Sequence, residues 1–375
     1  MKSYFVLDNE FTSLNDIVYY YSGVFEGIDT KQSSRNDDSM GKVKELIDES
    51  IVLQYPRNRN LYLYGRKNNP FATWAETLWV LGGDEYLNPV MTTFLPRCTD
   101  FSDDGKTWRG AYNTRLKRNA SLEHIIQMYR EDGMNTRRAC CSIWRPDMDT
   151  DAVISQTLGT KTKDMPCSNF IWTWIRDNKF NLKLGMRSND LVWGLSNINV
   201  FEFTVIQELL YEYLKRDLGY YDLKLGCYIH NPVSLHVYDR TYPQIHNIAS
   251  NVENTKLTEL ENDEDNYTIK IPKTLSLTGF CGQMYSNFEY CVREILSESM
   301  NGDGVLSQAE EFFHGVQCET NGNMMYYYFI LPLLYLVHGK LKTALDLDNF
   351  LDFISKKSIN LSIDISRMLE VRYQQ

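Results

Sequence analysis

The sequence has no Cys-x-x-Cys pair, although eight cysteines are spread through its 375 residues. Spacing of the zinc-ligand type is therefore missing, and isolated thiols suit a reducing compartment. Positive charge is also short. With 49 acidic against 39 basic side chains, the net charge is −10, which excludes a non-specific nucleic-acid binder, since such proteins need a basic face. Nor is there a long apolar run. The most apolar stretch, Met324–Val337, carries Pro332 and is too short for a bilayer, so it reads as a buried core helix. The opening MKSYFVLDNEF lacks the apolar core of a signal peptide, and no internal repeat is visible. The expectation is a cytoplasmic protein (host cytoplasm if viral) with no metal, membrane or nucleic-acid partner.

What is present is a large globular chain, 43% hydrophobic and 13% aromatic, long enough to bury a sizeable core. Its most organised stretch is 167–194, CSNFIWTWIRDNKFNLKLGMRSNDLVWG. Alternating runs at 170–176 and 180–186 flank Asp177-Asn178, the pattern of a β-hairpin with a tight turn. The hairpin sets Cys167, Arg187-Ser188 and Asp190 at one end: a thiol, a phosphate-binding pair and a carboxylate.

Helical spacing marks 42–51 (Val43, Leu46 and Ile47 on one face), 71–81, 122–130, 199–215, 288–299 and 345–355. Strands are expected at 61–64, 139–144, 224–229 and Ser234–Tyr238, the last with His236 and Tyr238 on one face. Polar loops are expected at 31–39 and 251–266, and further strands within 267–277. Glu76 lies among Trp74, Leu78 and Trp79, either with its head in water or as a buried acid of raised pKa. Segment 299–310, SMNGDGVLSQAE, has the spacing of a calcium loop but begins with Ser299; a turn leading into an N-capped helix is the expectation. Cys140 and Cys141 fall in a buried-strand pattern and read as packing residues.

Together these pieces resemble thymidylate synthase and its relatives, the phage deoxycytidylate hydroxymethylases. The resemblance rests on ETLWVLGGD, NTRRACCSIWRPDMD, DMPCSNF, MRSNDLVWGL and SLHVYDR, in family order from about residue 55 to 240. The implied fold is α/β: a large mixed sheet with flanking helices, dimerising through the sheet face. The implied organisation is an N-terminal segment (1–40), a catalytic domain (41–280) and a helical C-terminal extension (281–375).

The implied chemistry is one-carbon transfer from 5,10-methylenetetrahydrofolate to C5 of a pyrimidine nucleoside monophosphate. C5 becomes nucleophilic only after a thiolate adds at C6. Cys167 is the implied nucleophile, Glu76 the proton relay, and Tyr112 a looser active-site match. Arg187, Ser188 and either Arg57 or Arg59 would hold the phosphate, with Arg137 and Arg138 reaching across a homodimer. His236 and Tyr238 would bind the sugar, and Asp190 and Trp79 the folate.

Two departures bear on the product. The base-reading position falls on Ile198, between Asn197 and Asn199, so either an asparagine is presented instead or the base is read differently. Without the family's cytosine-reading Asp, dUMP is favoured over dCMP. The ending LEVRYQQ differs from the apolar segment that closes thymidylate synthases over folate. Admission of water favours a 5-hydroxymethylase; the rivals are thymidylate synthase and a catalytically silent nucleotide-binding homologue.

Overall fold

The computed structural model describes residues 9–28, 35–37, 41–117, 121–251, 268–357, 369 and 372. All but the first residue of the expected loop at 251–266, and five of the seven residues of the C-terminal LEVRYQQ, lie outside these residues. Ten strands are described: β1 (Glu10–Phe11), β2 (Arg35–Asp37), β3 (Gly41–Ile47), β4 (Ile51–Leu53), β5 (Cys140–Ser142), β6 (Ser168–Arg176), β7 (Lys179–Met186), β8 (Asn189–Asp190), β9 (Lys224–Pro232) and β10 (Ser234–Tyr238). They form a six-stranded mixed sheet, β1-β4-β9-β7-β6-β5, and a four-stranded sheet, β2-β3-β10-β8. Helices flank them, giving the mixed α/β architecture expected.

The hairpin β6–β7 is the spine of the larger sheet. Arg176 pairs with Lys179 across a two-residue turn, and Asp177 and Asn178 adopt φ of 51° and 55°. Asp and Asn tolerate that left-handed geometry, which matches the right-handed twist of the flanking strands. Ile171, Thr173 and Ile175 of β6 are buried against the helices. Alternate residues face outward, where Phe170 packs on Trp172, itself 41% exposed.

Behind the sheet runs the Val200–Leu218 helix, buried along most of its length. It is entered through a π-helical segment, Leu191–Asn199. Arg66 sustains that wider turn: its Nε donates to Ser196 Oγ at 2.9 Å, and Nη2 donates to the Val192 carbonyl. Every residue of the Pro70–Gly82 helix is buried except Glu76, which is half-buried. The Leu277–Leu296, Met324–Val337 and Ala344–Lys356 helices share its core, with Phe71 stacked on Tyr335 at 4.1 Å and edge-on to Phe350. A Cβ at Gly82 would lie 2.0 Å from the Cys281 carbonyl oxygen, so only glycine permits this approach.

Several local expectations are overturned. Segment 42–51 is not a helix; β3 pairs antiparallel with β10 from Val43–Tyr238 to Ile47–Ser234, and the supposed helical face is split, with Val43 buried and Ile47 64% exposed. Residues 61–64 are irregular rather than a strand, because Asn15 takes the ladder's place, accepting from Tyr62 N and donating to the Asn60 carbonyl, both at 2.9 Å. Arg35–Asp37 is a strand within the expected 31–39 loop. In 268–277 only an isolated bridge from Thr268 to Asn323 is described. The calcium-like segment is an N-capped helix start: Asn301 Oδ1 accepts from Gly304 N at 3.0 Å ahead of the Gly302–Gly315 helix.

Candidate active site

Antiparallel pairing of β6 with β7 fixes the site's first contact. Cys167 precedes β6 and Arg187 follows β7, so the two meet at the open end of the hairpin, where Arg187 N donates to the Cys167 carbonyl at 2.9 Å. The Arg187 guanidinium is held by the carbonyls of Pro166 (3.0 Å) and Met165 (2.8 Å) and lies 3.5 Å from Cys167 Sγ. A fixed cation at that distance stabilises negative charge on sulfur.

Cys167, Glu76, Trp79, Trp108, Tyr112 and Asn199 are among the residues lining one cavity of about 140 Å³. Burial pushes the Glu76 carboxyl up to about 8. Tyr112 is packed on Phe203, and its hydroxyl accepts from Ser168 N at 3.1 Å; burial, then the nearby Cys167, raises its pKa. Trp79 Nε1 donates to the Tyr86 carbonyl at 3.0 Å. An adjoining apolar pocket of about 420 Å³ shares Glu76 and Trp108 and is lined by Phe94, Phe101, Trp193 and Ile198.

The tripeptide after Gly194 is sorted by the π-helical segment. Asn197 accepts from Thr73 Oγ1 at 2.7 Å and lines the apolar pocket with Ile198, whereas Asn199 lines the cavity of Cys167. Ungapped spacing puts Ile198 at the base-reading position. The wider π turn places the following residue at that cavity instead.

Ser188 is buried. Asp190 Oδ1 accepts from Trp193 N at 2.6 Å, while Oδ2 is buried without a hydrogen-bond partner. Burial, opposed by backbone hydrogen bonds and by Arg66 and Arg240, lifts this carboxyl to about 6. In the second sheet β8 pairs with β10, setting His236 opposite Asp190, with Tyr238 edge-on to His236.

Arg57 and Arg59 are not brought to this group. Both grip Glu208, Arg57 Nε at 2.7 Å and Arg59 through Nη2, in a buried cluster. Arg57 lines a surface cleft with Asp177 and Asn178, at the far end of β6 from Cys167, roughly 30 Å away at 3.3 Å per residue. Arg137 and Arg138 are exposed before edge strand β5, Arg138 being paired with Asp132 at 2.6 Å. Cys141 is buried and Cys140 half-buried, as packing residues would be.

Residues missed from sequence are Trp108, which lines both pockets, and Glu202, only 1% exposed beside Cys167 and Glu76. A carboxylate in the first turn of a long apolar helix was the available signal for Glu202. Its pKa is raised by burial and by Glu76. Among the described residues no cluster of His, Cys, Asp or Glu could hold a metal, and no helix is long and apolar enough to cross a membrane.

The thymidylate synthase family model matches residues 62–281, a span that contains Glu76, Cys167, Arg187, Asp190 and the β10 pair. The chain belongs to the thymidylate synthase family. It is 41% identical over 168 residues to the deoxyuridylate hydroxymethyltransferase of Delftia phage PhiW-14, covering 44% of this chain and 47% of that protein. To the deoxyuridylate hydroxymethyltransferase of Pseudomonas phage M6 it is 30% identical, covering 63% and 62%. The matches thus span between about half and three fifths of these relatives' lengths. Thermostable thymidylate synthase A of Bacillus subtilis aligns with a TM-score of 0.48 at 18% identity, covering 62% of this chain and 84% of that one.

Proposed function

We propose that this protein is a folate-dependent 5-hydroxymethylase acting on dUMP. The observation that carries the reading is one cavity lined together by a thiol beside a guanidinium, a carboxyl of raised pKa and a carboxamide: Cys167, Glu76 and Asn199. The names of its phage relatives support uracil as the base and hydroxymethyl as the product.

In this reading the Cys167 thiolate forms the S–C6 bond and the C5=C6 electron pair moves toward C5 and O4. Glu76, protonated near neutral pH, carries protons to and from the ring. Asn199 offers both a donor and an acceptor, as the N3–H and O4 edge of uracil requires. Arg187 and Ser188 bind the phosphate, and His236 and Tyr238 the sugar. The apolar, tryptophan-lined pocket suits the flat rings of a folate, and the unpartnered Asp190 Oδ2 suits their N–H groups. When bound, 5,10-methylenetetrahydrofolate supplies a one-carbon unit at the formaldehyde level.

The proposal includes a homodimer. The outward face of β6, with Phe170 and Trp172, needs covering, and Arg137 and Arg138 are exposed, so that Arg137, and Arg138 on exchanging Asp132 for a phosphate, would reach a partner's phosphate site. It also includes a host-cytoplasmic location, a catalytic unit over 41–280 and an extension over 281–375 whose helices brace the Glu76 helix.

Incubation with methylenetetrahydrofolate and dUMP or dCMP, followed by mass analysis, tests the reading. A gain of CH2O on dUMP is expected. A 5-methyl product with dihydrofolate would make the protein a thymidylate synthase, and no tritium release from C5-labelled nucleotide would make it a silent homologue.

A further inference from the structure

A buried hydrogen-bond chain runs through the Asn199 carboxamide to Glu202. Tyr228 Oη and His230 Nδ1 are 2.9 Å apart, His230 Nε2 and Asn189 Oδ1 2.9 Å, Asn189 Nδ2 and Asn199 Oδ1 2.7 Å, and Asn199 Nδ2 and Glu202 Oε1 3.1 Å. None of the five is more than 7% exposed.

The chain has a direction. Asn189 Oδ1 can only accept, so His230 Nε2 carries the proton. Burial pushes the His230 pKa down to about 3, the ring is neutral, and its Nδ1 must accept from the Tyr228 hydroxyl. Donation therefore runs Tyr228 to His230 to Asn189 to Asn199 to Glu202. The reverse direction is available to every middle member, each of which can turn or change tautomer. It fails at Tyr228, whose hydroxyl is fully buried and has no other hydrogen-bond partner among the described residues; reversal would strand its proton.

Direction matters because a carboxamide is symmetrical in shape but not in polarity. Turned one way it serves uracil (N3–H donor, O4 acceptor); turned the other way it serves cytosine (N3 acceptor, N4–H donor). We propose that the Tyr228–His230–Asn189 relay locks the Asn199 carboxamide in one orientation, and that this lock sets the choice of uracil over cytosine. The inference rests on the nucleotide-C5 reading of the site. These three residues position; they touch no reacting atom.

The test compares dissociation constants for dUMP and dCMP without folate, and then kcat/KM for each. Asn189→Asp replaces the donor facing Asn199 by an acceptor and turns the amide over, so the dUMP/dCMP preference is expected to fall at least about tenfold. Tyr228→Phe keeps shape and removes only the directing hydroxyl; the same ratio is expected to fall several-fold in a variant that still melts cooperatively, at a lower temperature because His230 Nδ1 loses its donor. Should Asn189→Asp not fold, Tyr228→Phe decides alone. A wild type that binds neither nucleotide sinks the functional reading on which the relay rests. A wild type that prefers dUMP, with folded variants keeping its ratio, sinks the relay and leaves that reading standing.

Discussion

Glu208→Gln is expected to cost this protein about 3–5 kcal/mol, the penalty typical of removing one partner from a buried ion pair. Glu208 is fully buried and accepts from Arg57 Nε at 2.7 Å, from Arg59 Nη2, and from Ile269 N at 3.0 Å. Arg59 is itself 1% exposed, with Tyr328 as its other polar contact. A glutamine keeps the shape but leaves the Arg59 guanidinium, almost entirely out of water, without its carboxylate, while Arg57 retains Glu212 at 3.8 Å. Against a total stability of roughly 5–15 kcal/mol, that is a large share.

Guanidinium unfolding followed by tryptophan fluorescence should show a lower midpoint at unchanged slope. Burial pushes the Glu208 carboxyl up, but Arg59 and Arg57 outweigh it and hold it below its ordinary value. Its stabilisation is therefore complete above the unfolded carboxylate pKa and lost as pH falls through the lower folded value, so the gap between wild type and variant should narrow in acid. Arg59→Met combined with Glu208→Leu should cost less than the two single changes added together. A loss below about 1 kcal/mol for Glu208→Gln would refute this account and return Arg57 and Arg59 to the candidates for phosphate binding.

Glu76 titrates the opposite way. With its carboxyl pushed up to about 8 by burial, the folded state holds a proton that the unfolded state has lost, so stability falls as pH rises from about 4.5 to 8. Glu76→Gln should remove up to ~1.4 kcal/mol per pH unit of that slope, as read from melts across the window, and should abolish C5 tritium release. Asn178→Val forces a β-branched residue to a φ of 55° and is expected to cost about 1–2 kcal/mol, whereas Asn178→Gly should be nearly neutral; thermal melts distinguish them. Trp172→Glu, on the exposed hairpin face, should convert the proposed dimer to a monomer in sedimentation velocity; a monomeric wild type, or a variant that stays dimeric, would overturn pairing through this face.

The hairpin and the helix carrying Glu76 were legible because their signals are local. Alternation with Asp177-Asn178 between two runs forces a two-residue turn, and that turn alone brings Cys167 and Arg187 to one end. The Pro70–Gly82 helix declares itself by its aromatic periodicity and by one carboxylate on an otherwise apolar surface. Sequence order likewise carried the family motifs, whose residue types the C5 chemistry demands.

Other features depended on partners distant in the chain. The helical spacing of 42–51 yielded to a ladder with β10 nearly two hundred residues away. Arg57 and Arg59 look like a loop clamp until Glu208 is seen between them, since a buried guanidinium must find a carboxylate wherever the fold supplies one. Which of Ile198 and Asn199 lines the cavity of Cys167 turned on a single extra residue in a helical turn, held open by Arg66. Local pattern determines which chemistry the chain carries and on which elements it rides. The face that each element presents, and so whether Ile198 or Asn199 shares a cavity with Cys167, was decided only by tertiary packing, because burial and pairing energies outweigh the small preferences of local geometry.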